Sequence, residues 1–165
     1  MNDWLMLACG ILLTLATGIF VASEFSLVNL ERSDLEARAE RGETGLTQSI
    51  RALKKTSTHL SGAQLGITLT TMLTGFLAEP ALTSLLEPGF SDWGLSESAT
   101  HGISLVATMV IATLFSTLIG ELVPKKLALT MPLAVNRFVV NFQLAFTWVF
   151  AWAIKALNFV GNAIV

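Results

Sequence analysis

Charged residues are distributed very unevenly along this chain, and their distribution limits the folds that it can adopt. All ten Lys and Arg residues lie within 32–55 or 125–155. Only 13% of the residues are charged, against about a quarter in a typical soluble domain. The charges separate four apolar blocks, at 4–23, 56–78, 98–120 and 138–154. The first three reach the ~20 residues that a helix needs to cross a bilayer, whereas the fourth has seventeen.

These blocks predict an all-α membrane protein with three transmembrane helices and one further helix. The expected spans cover about 4–30, 57–86 and 99–121, and a juxtamembrane helix covers about 133–160. Loops rich in Lys and Arg stay on the cytoplasmic side, and the loop at 31–55 is basic whereas 79–97 is acidic. We therefore expect a multi-pass protein of the cell membrane, with its N-terminus outside and its C-terminus in the cytoplasm.

The fourth block has a basic residue on each side, Arg137 and Lys155. If this block crossed the membrane, one of the two would face outside, against the positive-inside rule. Asn136, Asn141 and Gln143 also make the start of the block polar. We therefore expect an interfacial or re-entrant helix on the cytoplasmic side, with a fourth span as the alternative.

The residue types present argue against several classes of protein. A single cysteine, Cys9, cannot form a disulfide within the chain, and no Cys/His cluster indicates zinc. No basic patch indicates nucleic-acid binding. No nucleophile with a neighbouring base indicates catalysis, so we do not expect an enzyme, although Glu24 and Glu121 could be paired carboxylates. A membrane anchor for a cytoplasmic domain and an ion channel remain alternatives to a transporter.

Polar residues recur at helical spacing inside the first two spans. Two sets each share one helix face: Ser23, Ser26 and Asn29 in the first span, and Gln64, Thr68 and Thr71 in the second. Such residues often bond to their own backbone or to a neighbouring helix, which is the structural alternative to a binding role. Gly62 and Gly66, four residues apart, are typical of close helix packing.

The third span ends in Gly-Glu-Leu-Val-Pro at 120–124. Pro124 has no N–H, so a helix that continues to this point leaves the carbonyl of Gly120 without its usual partner. The sequence thus places a free carbonyl oxygen beside the carboxylate of Glu121. The alternative is that Glu121 ends a turn at the cytoplasmic surface and pairs with Lys125.

These oxygens suggest a site for a hard cation. A broken helix with free carbonyls is tolerated at membrane depth where it lines a cavity or binds an ion. Ser26, Asn29 and either Thr68 or Gln64 would add hydroxyl and amide oxygens to the carbonyl and carboxylate of the third span. An all-oxygen set suits magnesium, calcium, manganese or sodium.

Two motifs also carry a resemblance to a known family. Ser-Leu-Val-Asn at 26–29 and Gly-Glu-Leu-Val-Pro at 120–124 resemble, in order and spacing, motifs of the transmembrane domain of the CorC/CNNM magnesium transporters. The likeness covers nearly the whole chain. It implies a homodimer in the lipid bilayer that exports magnesium in exchange for sodium. The matching ion-site positions are Ser26, Asn29, the carbonyl of Gly120, and Glu121.

Two regions depart from the family pattern. Eukaryotic members resemble GNVLVNTT where this chain has AQLGITLT at 63–70, so the Asn of that pattern corresponds to either Gln64 or Thr68. Members also continue into a cytoplasmic pair of CBS motifs, whereas this chain ends at Val165. We therefore expect no nucleotide regulation through that module within these 165 residues.

The resemblance and the residues together suggest alternating access. Magnesium would enter from the cytoplasmic side near Glu121, and the oxygens of the site would replace its waters. A sodium-like site at Thr70, Thr71 and Thr74 is a further hypothesis. A dimer contact through Gly62 and Gly66 is another.

Overall fold

The computed structural model describes residues 2–165, and every regular element within them is helical. The helices are α1 (Asp3–Val28), α2 (Arg32–Glu40), α3 (Thr47–Leu53), α4 (Thr56–Ser91), α5 (Glu97–Phe115), α6 (Val123–Thr130), α7 (Pro132–Val149) and α8 (Ala151–Ile164). A π-helical segment, Ser116–Leu122, joins α5 to α6 and is called the π-turn below. Three helical runs are long and apolar enough to cross a membrane: α1, α4 and the continuous run Glu97–Thr130. The prediction of an all-α membrane protein with three spans is confirmed.

Helix α1 is the centre of the bundle, in contact with α4, the π-turn, α6 and α7. Small residues allow it to approach α4 closely. Gly10 faces Ala78, and Gly66 lies against the ring of Phe20, so that a side chain at either glycine would collide with its neighbour. The packing interpretation of Gly66 is therefore correct.

Gly62 also packs inside the chain. A Cβ atom at this position would lie 3.1 Å from Cδ1 of Ile154 in α8 and 3.3 Å from the hydroxyl of Thr147 in α7. Because Gly62 and Gly66 are both buried against other helices of the same chain, the hypothesis that they form a dimer contact is wrong.

Helix α4 is longer than the charge pattern predicted. It continues through Pro80 and Pro88 to Ser91, so the acidic loop expected over 79–97 is reduced to a short turn at 92–96. Helix α5 begins after Ser96, whose side chain caps it by accepting from the N–H of Ala99. The expectation failed because the acidic residues of 79–97 were taken as signs of a loop.

The third span does not end at Glu121. The π-turn widens the helix just before Pro124, and the N–H of Val123 bonds to the carbonyl of Leu118, five residues back. The helix then runs on as α6 to Thr130. A π-helical turn inside an α-helix is rare and occurs frequently at functional sites. The proline therefore coincides with a local widening within one continuous helical run rather than with its end.

Helices α7 and α8 form a bent pair. Their axes meet at 78° near Phe150, as in a broken span or a re-entrant segment. Asn136 and Gln143 are 0% and 1% exposed on the inner face of α7, whereas Phe138 and Trp148 are 85% and 82% exposed on the other. Asn136, Asn141 and Gln143 were taken to indicate an aqueous interface. That reason is wrong for Asn136 and Gln143, which face the protein, and only Asn141 is exposed.

Helices α2 and α3 form a small cap at one end of the bundle. Gly42 and Gly45 lie between them with φ of 93° and 80°, the left-handed region that glycine adopts without strain. Leu35 and Leu46 pack against Leu27 of α1. We call this the α2–α3 end; the opposite end holds the turn between α4 and α5.

Candidate cation-binding site

The π-turn lies directly against α1. Gly120 is buried, and a Cβ atom there would lie 3.5 Å from Cγ2 of Thr14. On α1, a Cβ atom at Gly18 would lie 3.3 Å from the carbonyl oxygen of Ile119 and 4.0 Å from that of Gly120. Two main-chain carbonyl oxygens of the π-turn therefore face α1 at Gly18, where the helix has no side chain.

Glu121 is exposed on the π-turn. Among residues 2–165 it enters none of the ion pairs, so the alternative pairing with Lys125 is not formed. The ammonium of Lys125 lies instead 4.8 Å from the ring centre of Phe25 on α1, in a cation–π contact. The carboxylate of Glu121 is thus left exposed and without an ionic partner among residues 2–165.

Ser26 is completely buried, and its hydroxyl has two partners. It donates to the carbonyl of Ser23 at 3.1 Å and accepts from Nδ2 of Asn136 in α7, also at 3.1 Å. Within residues 2–165, Oδ1 of Asn136 and the hydroxyl of Ser23 have no hydrogen-bond partner although both are buried. Sequence reasoning missed Asn136 as a neighbour of Ser26, because no local pattern joins residues 110 positions apart.

Asn29 is the residue that ends α1, as the structural alternative supposed. It is exposed, and its Nδ2 donates to the carbonyl of Phe25 at 2.7 Å. It also lines a cavity of about 500 Å³ at the α2–α3 end, together with Glu31, Asp34 and the first residues of α7. The amide therefore stands at an opening of the bundle.

Gln64 and Thr68 are both exposed on α4. Nε2 of Gln64 donates to a carboxylate oxygen of Glu24 on α1 at 3.4 Å. This contact adds a second carboxylate at the α2–α3 half of the bundle, one that was not among the predicted ion-site residues. The choice between Gln64 and Thr68 stays open.

The three threonines of the hypothetical sodium-like site do not share one environment. The hydroxyl of Thr70 lies 2.6 Å from that of Thr17 on α1, so Thr70 belongs to the α1–α4 contact. Thr74 donates to the carbonyl of Thr70 at 2.7 Å. Only Thr71 and Thr74 line a cavity.

The predicted ion-site residues thus lie around the C-terminal half of α1 without meeting at one point. Gly120 contacts α1, and Gln64 reaches Glu24, but across residues 2–165 no hydrogen bond joins Ser26 or Asn29 to Glu121. In the same part of the chain, no three His, Cys, Asp or Glu side chains come together as a metal cluster. The donors available are hydroxyl, amide, carbonyl and single carboxylate oxygens, the types that hard cations prefer.

Three candidate spans with polar groups between them and a π-turn beside a carboxylate define a class: helical integral membrane proteins with polar contacts between their spans. Residues 8–165 match the family of the cyclin M (CNNM) transmembrane N-terminal domain. The chain belongs to that family, which is one of magnesium transporters rather than enzymes. The expected family is therefore confirmed.

Several bacterial proteins are similar to this chain. UPF0053 protein MT1890 of Mycobacterium tuberculosis is 45% identical over 154 residues, which cover 93% of this chain and 34% of that protein. UPF0053 protein YhdT of Bacillus subtilis is 36% identical over 124 residues, 75% of this chain and 27% of that protein. UPF0053 protein YugS, also of Bacillus subtilis, is 30% identical over 142 residues, which cover 86% of this chain and 33% of that protein. The chain spans about a third of the length of the relatives it matches.

Proposed function

We propose that this chain is the membrane domain of a magnesium transporter that exports the ion in exchange for sodium. The observation that carries the proposal is the π-turn, whose carbonyl oxygens lie against α1 next to the free carboxylate of Glu121. Such a turn offers main-chain and side-chain oxygens together at membrane depth, which is where transporters bind ions. Ser26, Asn29 and one of Gln64 and Thr68 would supply the other oxygens.

The ion-binding step requires these donors to converge on one point. The hydroxyl of Ser26 is held by Asn136, and the amide of Asn29 by the carbonyl of Phe25. Magnesium loses its water reluctantly, so several oxygens must converge on it before it sheds its shell. Convergence would bring the end of α1 and the π-turn together. Loss of the same contacts would then release the ion on the other side, as in alternating access.

Orientation and assembly are part of the proposal. The basic α2–α3 end would face the cytoplasm, which places the N-terminus outside and the C-terminus inside. Gln64, Thr68 and Thr71 form an exposed polar face on α4 at membrane depth. Polar groups there are costly against lipid, so we propose that a second copy of the chain covers this face in a homodimer.

Calorimetric titration with magnesium tests the proposal. We expect Glu121→Ala and Asn29→Ala to weaken binding by about tenfold or more, since each removes one oxygen of a small set. Asn141→Ala is the matched control, because Asn141 is an exposed asparagine on α7 outside the site. Unchanged binding in both site variants would refute the proposal.

Flux measurements address the coupling. In vesicles, magnesium efflux driven by an inward sodium gradient supports an exchanger. Magnesium flux that does not depend on the sodium gradient would indicate a channel. Absence of magnesium flux in a protein that still folds and binds lipid would indicate an anchor.

A further inference from the structure

Glu79 lies at membrane depth rather than in a loop. Its neighbour Ala78 meets Gly10, seven residues into α1, and a rise of 1.5 Å per residue puts that contact about 10 Å from the start of α1. One turn further along α4, Thr83 donates to the hydroxyl of Thr108 on α5 at 2.9 Å. Glu79 is thus half-buried on α4, between the α1 contact of Ala78 and the α5 contact of Thr83. An ionisable side chain in this position is expensive and usually functional.

A groove leads from Glu79 towards the π-turn. It has a volume of about 230 Å³ and lies between α4 and α5. The hydroxyls that line it belong to Thr71, Thr74, Thr113, Ser116 and Thr117. Ser116 and Thr117 are the first residues of the π-turn, about one helical turn before Glu121. Hydroxyl groups therefore occur along this groove from Glu79 to the first residues of the π-turn.

A second series of cavities leads from Glu79 to the α4–α5 turn. One of about 310 Å³ is lined by Glu79, Thr83, Glu87 and His101. The last two also line a cavity of about 840 Å³ at the turn itself. His101 Nδ1 lies 2.5 Å from the Glu87 carboxylate, so the two side chains that line both cavities are in contact with each other.

We propose that Glu79 is a second binding station for the transported cation, on a water-filled route between α4 and α5. The route runs from the π-turn, past the threonine hydroxyls, to Glu79 and then to the α4–α5 turn. Its ligand is a hard cation that carries water, because hydroxyls and one carboxylate replace only part of a hydration shell. The inference rests on the proposed function, since it supplies the path that an ion leaving the π-turn would follow.

Cysteine labelling tests whether the groove holds water, independently of ion binding. In a Cys9→Ser background, Thr113→Cys and Thr117→Cys place thiols in the groove, whereas Leu114→Cys and Leu118→Cys place them on an exposed face outside it. Thiolates, which form in water, are the reactive species. We expect a membrane-impermeant cationic methanethiosulfonate to modify the groove cysteines about tenfold faster or more. Equal, slow modification at all four positions would overturn the route.

Substitution of Glu79 tests the station. We expect Glu79→Gln to slow magnesium efflux from loaded vesicles by about tenfold, while calorimetric affinity stays within about twofold because the π-turn site is intact. Asp92→Asn, in the exposed turn, is the control and should change neither quantity. Glu79→Asp keeps the charge and should retain most of the efflux, which separates a role in transport from one in folding.

The outcomes separate the two proposals. If Glu121→Ala weakens binding but Glu79→Gln leaves efflux unchanged, the station is refuted and the proposed function stands. If Glu121→Ala and Asn29→Ala bind magnesium like the unaltered protein, the proposed function is refuted whatever the Glu79 variants do.

Discussion

The two sides of α1 are built differently. Towards α4, glycines admit close contact, and the hydroxyls of Thr17 and Thr70 satisfy each other. Towards α7 and the π-turn, Ser26 is bonded to Asn136, but the buried hydroxyl of Ser23 and Oδ1 of Asn136 lack protein partners in residues 2–165. A satisfied, close contact favours one arrangement, whereas buried atoms without partners lower the cost of another. The α4 side therefore fits a fixed frame, and the α7 side fits a contact that changes.

The largest effect should come from filling the α1–α4 contact. In Gly66→Ala, the added methyl group would collide with the Phe20 ring, and overpacking of this kind costs about 3 kcal/mol of stability. Gly75→Ala is the control, because an added Cβ atom meets nothing within 4 Å there. Thermal unfolding in detergent measures both. If the two variants unfolded at the same temperature, the description of the α4 side as a fixed frame would be wrong.

A smaller effect is expected on the α7 side, and on ion affinity rather than on stability. Asn136→Ala frees the Ser26 hydroxyl to rotate, and we expect magnesium affinity to fall about tenfold, or ~1.4 kcal/mol. Asn136→Ser, which keeps a donor, should recover part of it.

A double-mutant cycle with Ser26→Ala decides whether Asn136 acts through Ser26. In that background Asn136→Ala should have no further effect on calorimetric affinity. An equally large loss of magnesium affinity in the Ser26→Ala background would mean that Asn136 acts independently of Ser26. If Asn136→Ala lowered the affinity neither there nor in the unaltered protein, Asn136 would have no role in the site.

The smallest effect concerns the hydroxyl pair between α1 and α4. Thr17→Val and Thr70→Val should each lower stability slightly, with a coupling energy near the ~0.6 kcal/mol average for polar pairs in membrane helices. The pair contributes little because Thr17 and Thr70 also bond to carbonyls of their own helices. A cycle of thermal unfolding measurements checks this. A coupling energy of several kcal/mol would mean that the hydrogen bond between Thr17 and Thr70, rather than the packing at the glycines, is the main source of stability of the α1–α4 contact.

The sequence predicted the spans well because segregated charges are a direct consequence of the bilayer. It predicted the extent of α4 less well, since the acidic residues after position 78 read locally as a loop although the helix continues to Ser91. It located the irregularity near Pro124 but not its form, because a π-turn depends on contacts with α1.

The candidate site was only partly accessible from the sequence. Ser26, Asn29, Gly120 and Glu121 stood out by motif, and their role as ligands stays a prediction. The bond from Asn136 to Ser26 joins residues 110 positions apart, and no local spacing could have indicated it. The same holds for the approach of Gln64 to Glu24.

The π-turn has a consequence for mechanics. A wide turn holds one residue more than an α-helical turn, and this surplus can reside at different places along a continuous helix. Each residue by which it relocates swings one side chain through about 100° around the axis, with no unfolding of the span. A relocation past position 121 would turn the Glu121 carboxylate from one neighbour to another and leave the frame of α1 and α4 unmoved.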